Sequence, residues 1–219
     1  MYKLPKQNLI VLKIITCVIV FFAIISSLVA GFFVVYIRTY VNGNSMYPTL
    51  NSTYEQTNKR DIVYINRFAK VDIGDVVVLD LRKHPNFDND YAIKRLIAKS
   101  GDIVNIEFDE QQLIYNLIVN GNVIQSKEHK LFGYNTYSCF KQYVESHQLD
   151  SSRISKNDQG EIEGVIIKSG EIFVLGDNWD TSKDSSLVGP IKESAIVGRV
   201  DIVIKSTQNE FLSIIKRIF

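Results

Sequence analysis

The apolar residues of this 219-residue chain follow two different patterns. From Ile14 to Ile37 they run for about 24 positions without a charge, enough for a helix to cross ~30 Å of hydrocarbon. After Leu50 the pattern breaks into short runs of β-branched and aromatic residues punctuated by Gly, Asn and Asp, which predicts strands. Asp61–Ile65 is one such run, and Val71–Asp80 carries a Gly-Asp turn feeding an apolar strand. Ala92–Ile97 alternates with the period of a strand. Ile103–Phe108 and Gln112–Val119 come next, and Asn120-Gly121-Asn122 predicts a hairpin turn into Val123-Ile124. Strand signals resume at Val165–Ile167, Glu171–Leu175 and Ile196–Ile204. Asn86–Asp90 reads as a polar loop, and Tyr134–Gly164 as loop with one short helix near Phe140–Gln148. The terminal Phe211–Phe219 is apolar and basic, suited either to the membrane surface or to a terminal element packed on the core.

The long apolar run reads as an anchor. A cleaved secretory signal has an apolar core of ~7–15 residues and small residues before the cut. This run is longer, and Leu28 is bulky where a cut after Ala30 needs a small side chain. Lys3, Lys6 and Lys13 precede the run and only Arg38 follows closely, so the positive-inside rule keeps the N-terminus in the cytoplasm. The expected organisation is a cytoplasmic segment 1–13, a membrane anchor 14–37 and an extracytoplasmic β-rich body 38–219, with a variable insertion around 105–168. This is a single-pass protein of the cell membrane. Tyr36 and Tyr40 suit an interfacial aromatic belt.

Charge and composition exclude several classes. A net charge of +1 gives no electrostatic case for nucleic acid. Cys17 lies inside the apolar run and Cys139 far along the body, so no disulfide framework exists. His84, His129 and His147 are scattered without metal-ligand spacing, so neither a metal nor another cofactor is expected.

Candidate chemistry lies in a few short motifs. Ser45 stands in Gly43-Asn44-Ser45-Met46-Tyr47-Pro48-Thr49-Leu50, just past the apolar run. Gly43 permits close backbone approach, and Pro48 restrains the chain on both sides of it. Taken alone, a loop serine is most often structural. Lys94 lies on the strand face opposite Ile93 and Arg95. A strand lysine usually faces solvent, but burial would penalise its charged form. Lowering its pKa from ~10.4 to ~8 takes about 3 kcal/mol and leaves a neutral amine able to accept a serine proton. Gly176-Asp177-Asn178 ends a strand, and Asp177, Asp180 and Asp184 lack the spacing of a calcium loop.

Taken in order, these motifs are far more specific than any one of them. Ser45-Met46-x-Pro48-Thr49-Leu50, Gly74-Asp75-Val76-Val77, Lys94-Arg95 with Gly101-Asp102, and Gly176-Asp177-Asn178 through Ser182, Asp184 and Ser185 resemble the motif boxes of type I signal peptidases. The anchor and short length are most similar to the Gram-positive members. The resemblance implies a mostly β, signal-peptidase-like catalytic domain with one N-terminal transmembrane helix, and a Ser-Lys dyad that removes signal peptides from exported preproteins. Ser45 would be the nucleophile and neutral Lys94 the general base. Ser182 would hold the lysine amine, and Asp177 and Asp184 would support the site. Gly43 takes a position where some members place a serine that donates to the oxyanion. Val41, Met46, Leu50 and Ile93 are the implied walls of the pockets for small substrate residues, the substrate binding as an added strand.

Trp179 and Ser186 stand where the family usually carries arginines, so an ion pair ordering Asp184 is expected to be missing. Ala98-Lys99-Ser100 likewise departs from the family's more apolar turn. Such divergence suits a dedicated set of substrates, such as pilus or surface proteins. The alternative is a non-catalytic relative acting as an assembly chaperone for those proteins. A relative of self-cleaving Ser-Lys repressors would need a DNA-binding domain where the apolar run stands, and an anchored binding protein would leave the ordered motifs a coincidence.

Overall fold

A computed structural model of the chain describes residues 6–54, 58–87, 90–128 and 133–207. It divides into two compact units, Met1–Ile37 and Arg38–Phe219.

The first unit contains one helix, α1 (Lys6–Val35). Ile10–Val35 has a mean hydropathy of 2.8 and is long and apolar enough to cross a membrane. From Ile10 on, its Ile, Val, Phe and Leu side chains are exposed apart from half-buried Phe32 and Val35, so no protein core accounts for their apolarity. The helix begins before the expected Ile14 and stops short of Ile37. Tyr36 and Ile37 instead open a strand, β1 (Tyr36–Tyr40), whose aromatic and β-branched residues favour extended backbone.

The second unit is built on two sheets. The larger has seven strands in the order β1-β2-β12-β3-β4-β10-β11. Its members are β2 (Ile62–Asn66), β3 (Val76–Asp80), β4 (Tyr91–Lys99), β10 (Glu171–Leu175), β11 (Ile191–Lys192) and β12 (Ile196–Ile204), beside β1. The smaller has five strands in the order β7-β6-β5-β9-β8. These are β5 (Ile103–Asp109), β6 (Ile114–Val119), β7 (Asn122–Glu128), β8 (Ile154–Lys156) and β9 (Ile162–Ile166). Strands β3 and β10 flank β4, pairing Val77 with Lys94 and Leu175 with Arg95. The expected hairpin forms between β6 and β7, with Asn120 and Gly121 both at positive φ.

Where the sequence predicted mostly loop, the structure has α2 (Tyr134–His147). Thr136, Phe140 and Val144, one turn apart, bury a single face; the remaining polar positions face outward and dilute the signal. Phe140 and Val144 pack with Val104, Ile106, Leu117, Phe173, Leu175 and Trp179 into one core. A second apolar cluster, Val41, Met46, Leu50, Val63, Ile65 and Val78, lies beneath the Ser45 loop. A short helix, α3 (Ser185–Val188), comes after β10. His129 and Phe211–Phe219 lie outside the described residues.

Candidate active site

The Ser45 loop, between β1 and β2, is closed at its base by Asn51. The Asn51 amide Nδ2 donates to the carbonyls of Val41 (3.0 Å) and Gly43 (3.1 Å). Asp61 completes the closure: its backbone N–H donates to Asn51 Oδ1, and its carboxylate accepts the Asn51 N–H at 2.8 Å. Inside the loop Leu50 N–H donates to the Met46 carbonyl and Tyr47 N–H to that of Asn44. Val41, Met46 and Leu50 anchor it from below, buried in the apolar cluster with Ile93 partly buried against them. Of the four residues expected to line substrate pockets, Val41, Met46 and Leu50 are at most 2 % exposed and support the loop from within, and Ile93 is half-buried. Gly43 has a φ of +78°, which favours glycine, and its carbonyl accepts from Asn51.

Lys94 is carried by β4, a central strand, with only 4 % of its surface exposed. Its Nζ donates to Ser182 Oγ at 3.0 Å. Burial pushes its pKa below the ordinary lysine value, and the Asp184 carboxylate partly opposes this. Ser182 reaches Lys94 because it lies on the segment between β10 and α3, and β10 pairs directly with β4.

Gly176 brings the two groups together. A side chain there would overlap both Ser182 Oγ and the Ser45 carbonyl, so these atoms crowd the same face of one residue. Two further bonds tie the serine loop to this turn: Asn178 N–H donates to the Ser45 carbonyl at 3.0 Å, and Asn178 Nδ2 to that of Asn44 at 3.1 Å. The Ser45 backbone and Ser182 thus meet at Gly176, and Lys94 joins them through Ser182. The Lys94 hydrogen bond goes to Ser182 rather than to Ser45.

The two acids occupy different places. Asp184, fully buried, accepts from Gly176 N–H (2.9 Å), Ser186 N–H (3.0 Å) and Ser186 Oγ (2.8 Å). Ser186 therefore supplies, with neutral donors, the ordering that an arginine was expected to give. Asp177 faces the opposite way and receives a bidentate pair from Arg95, Nε at 2.8 Å and Nη2 at 2.6 Å. It also accepts from the Thr49 hydroxyl, while Arg95 Nη1 donates to the Gly74 carbonyl at 2.7 Å. This interaction raises the Arg95 pKa against the opposing effect of burial. One guanidinium thus joins the serine loop, the Gly74 turn, β4 and the Gly-Asp-Asn turn.

Arg95, Thr49, Asn178 and Gly176 were not singled out from sequence as site residues. Alternation along β4 placed Arg95 on the face away from Lys94, but its partner is 82 residues away in the chain.

Comparison with known proteins shows the family of the chain. Residues 11–205 match the family model for "Signal peptidase, peptidase S26". Signal peptidase IB of Staphylococcus aureus is 31 % identical over 160 residues, which cover 73 % of each chain. Signal peptidase I of Bacillus amyloliquefaciens is 28 % identical over 159 residues, 72 % of this chain and 68 % of that one. The crystal structure of a signal peptidase I from Enterococcus faecalis aligns with 60 % of this chain and 97 % of that one, at 21 % identity and a TM-score of 0.36. The chain belongs to the S26 signal peptidase family and is a serine endopeptidase of the type I signal peptidase class.

Proposed function

We propose that this protein is anchored by α1 with its N-terminus in the cytoplasm, and that it removes signal peptides from exported preproteins at the outer membrane surface through a Ser45–Lys94 dyad. One observation carries the reading above all: a buried lysine amine held by Ser182, which crowds the same glycine as the Ser45 carbonyl.

The chemistry follows from these positions. Neutral Lys94 takes the Ser45 hydroxyl proton as the oxygen attacks the scissile carbonyl. The negative oxygen of the tetrahedral intermediate is met by backbone N–H groups, that of Ser45 among them; Gly43 offers no side-chain donor. Lys94 then passes its proton to the departing amine, leaving an acyl-enzyme. The same amine deprotonates a water, which attacks the ester and frees the signal peptide and the Ser45 hydroxyl. Burial lowers the pKa of the amine and so favours its neutral form, and Ser182 accepts one of its N–H bonds, which directs the lone pair. Small substrate residues pack beside half-buried Ile93, which Val41, Met46 and Leu50 back from the core. The anchor confines the enzyme to the membrane that its substrates cross, which raises their effective concentration.

The test is cleavage of a preprotein with an Ala-x-Ala site by purified protein in detergent, beside Ser45→Ala and Lys94→Ala. Cutting after the second alanine, abolished in both variants, is expected. Wild-type cutting that survives either substitution overturns the dyad. A pilin or surface-protein precursor cut in preference to a general preprotein would mark a dedicated enzyme.

A further inference from the structure

The turn from Asn178 to Ser182 contacts both members of the proposed dyad: Asn178 holds the Ser45 carbonyl and Ser182 holds the Lys94 amine. What holds the turn is the first turn of α2, from the smaller-sheet side of the domain. Thr136 is 1 % exposed, and both its N–H (3.0 Å) and its Oγ1 (2.6 Å) donate to the Trp179 carbonyl. Asn135 Nδ2 donates to the Asp180 carbonyl at 2.8 Å, and Gly133 N–H to Asp180 Oδ1 at 2.9 Å. Between these bonds the Trp179 ring, also 1 % exposed, is buried in one core with Phe140 and Val144 of α2 and Phe173 and Leu175 of β10.

We propose that α2 is a brace for the catalytic turn, with Thr136 and Trp179 as positioning residues that set where Ser182 and Asn178 present Lys94 and Ser45. The physical case is that the turn is not a regular element. Within it, Asp180 N–H meets Asn178 Oδ1 at 3.3 Å and Thr181 N–H meets the Asn178 carbonyl at 3.4 Å, both long bonds. Shorter bonds to α2 fix its middle, so displacement of the helix moves both ends. Hydroxyl and N–H converging on one carbonyl, beside a buried indole, leave the Trp179 backbone little freedom. This inference rests on the dyad reading above.

The test uses full-length protein in detergent and pairs kinetics with a readout independent of turnover. Thr136→Val removes the hydroxyl at nearly constant volume, Thr136→Ser restores it, and Ile202→Ala removes buried volume on β12, outside the core that holds Trp179. Thr136→Val is expected to lower kcat about tenfold with KM near the wild-type value, because misplacement of reacting groups acts on the chemical step. It is also expected to shift the midpoint of the Lys94 13Cε signal in an NMR pH titration. Thr136→Ser is expected to rescue both, and Ile202→Ala to lower the melting temperature while leaving both in place. A Thr136→Val enzyme with wild-type kcat and an unmoved Lys94 midpoint overturns the brace. So does an Ile202→Ala enzyme that loses as much kcat at an equal loss of melting temperature. Cleavage surviving in Ser45→Ala overturns the dyad instead, and the Lys94 midpoint then still decides whether α2 positions that side chain.

Discussion

Gly176→Ala is the smallest change that reaches both proposed catalytic groups at once. The backbone at Gly176 is not in the left-handed region, so the expected effect is purely steric. The new methyl group would overlap Ser182 Oγ on one side and the Ser45 carbonyl on the other. Neither neighbour yields easily. Ser182 is tied to Lys94, and the Ser45 carbonyl is held by Asn178. Overpacking of a buried position costs about 1–3 kcal/mol, which for a body this size lowers the melting temperature by roughly 2–12 °C. The kinetic effect is larger, because a shift of ~1 Å in a reacting group costs about a hundredfold in rate. Preprotein cleavage and a thermal melt on the same sample measure both. Gly198→Ala is the control: its methyl group would meet the Asn66 carbonyl and Ile65 across β2 and β12, so it should lose stability and keep kcat. A Gly176→Ala enzyme with wild-type kcat/KM and wild-type melting would show that the Ser45 and Ser182 segments do not converge there.

Four further outcomes are expected. The rate of cleavage should rise with pH through a midpoint below the ordinary lysine value of 10.5 and fail in acid, because only neutral Lys94 accepts the serine proton; a flat profile across that midpoint refutes the base. The same shift affects stability: the unfolded chain binds the Lys94 proton more tightly, so stability rises with pH from the folded midpoint up to 10.5, and Lys94→Met should melt higher than wild type at neutral pH and lose that slope. Asp184→Asn removes a charge that raises the Lys94 pKa, so the rising limb should move toward acid, while an amide N–H set against Gly176 N–H costs about 1–3 kcal/mol in a denaturant melt; a limb moving toward alkali contradicts this. Arg95→Lys loses the bidentate grip on Asp177 and should lower kcat/KM about tenfold with Lys94 still in place, and unchanged kinetics would assign the pair no part in shaping the site.

The strands were legible because each is a short β-branched or aromatic run bounded by Gly, Asn or Asp. β12, expected at Ile196–Ile204, forms over those residues, and β10 over Glu171–Leu175. α2 was underestimated because only Thr136, Phe140 and Val144 bury its inner face, and tertiary packing rather than propensity holds a helix whose other positions are polar. β8, with three residues, carries too little pattern to stand out and exists through pairing with β9. At the site, order along the chain pointed to Ser45, Lys94, Ser182, Asp177 and Asp184. The partners were not legible: the absent arginine left Asp184 apparently unordered, and the structure gives it Ser186 and Gly176 instead.

The sequence by itself determined the apolar span, the β-rich character of the chain beyond that span, and the residue types able to do acyl-transfer chemistry, because hydropathy and side-chain reactivity are properties of single residues and short windows. Only the tertiary structure decided that Lys94 is buried, that Ser182 meets its amine, and that Arg95 joins Asp177 across 82 positions of chain. Burial and partnership depend on which strands lie side by side, and the pairing of β4 with β3 and β10 brings together residues that no local pattern connects.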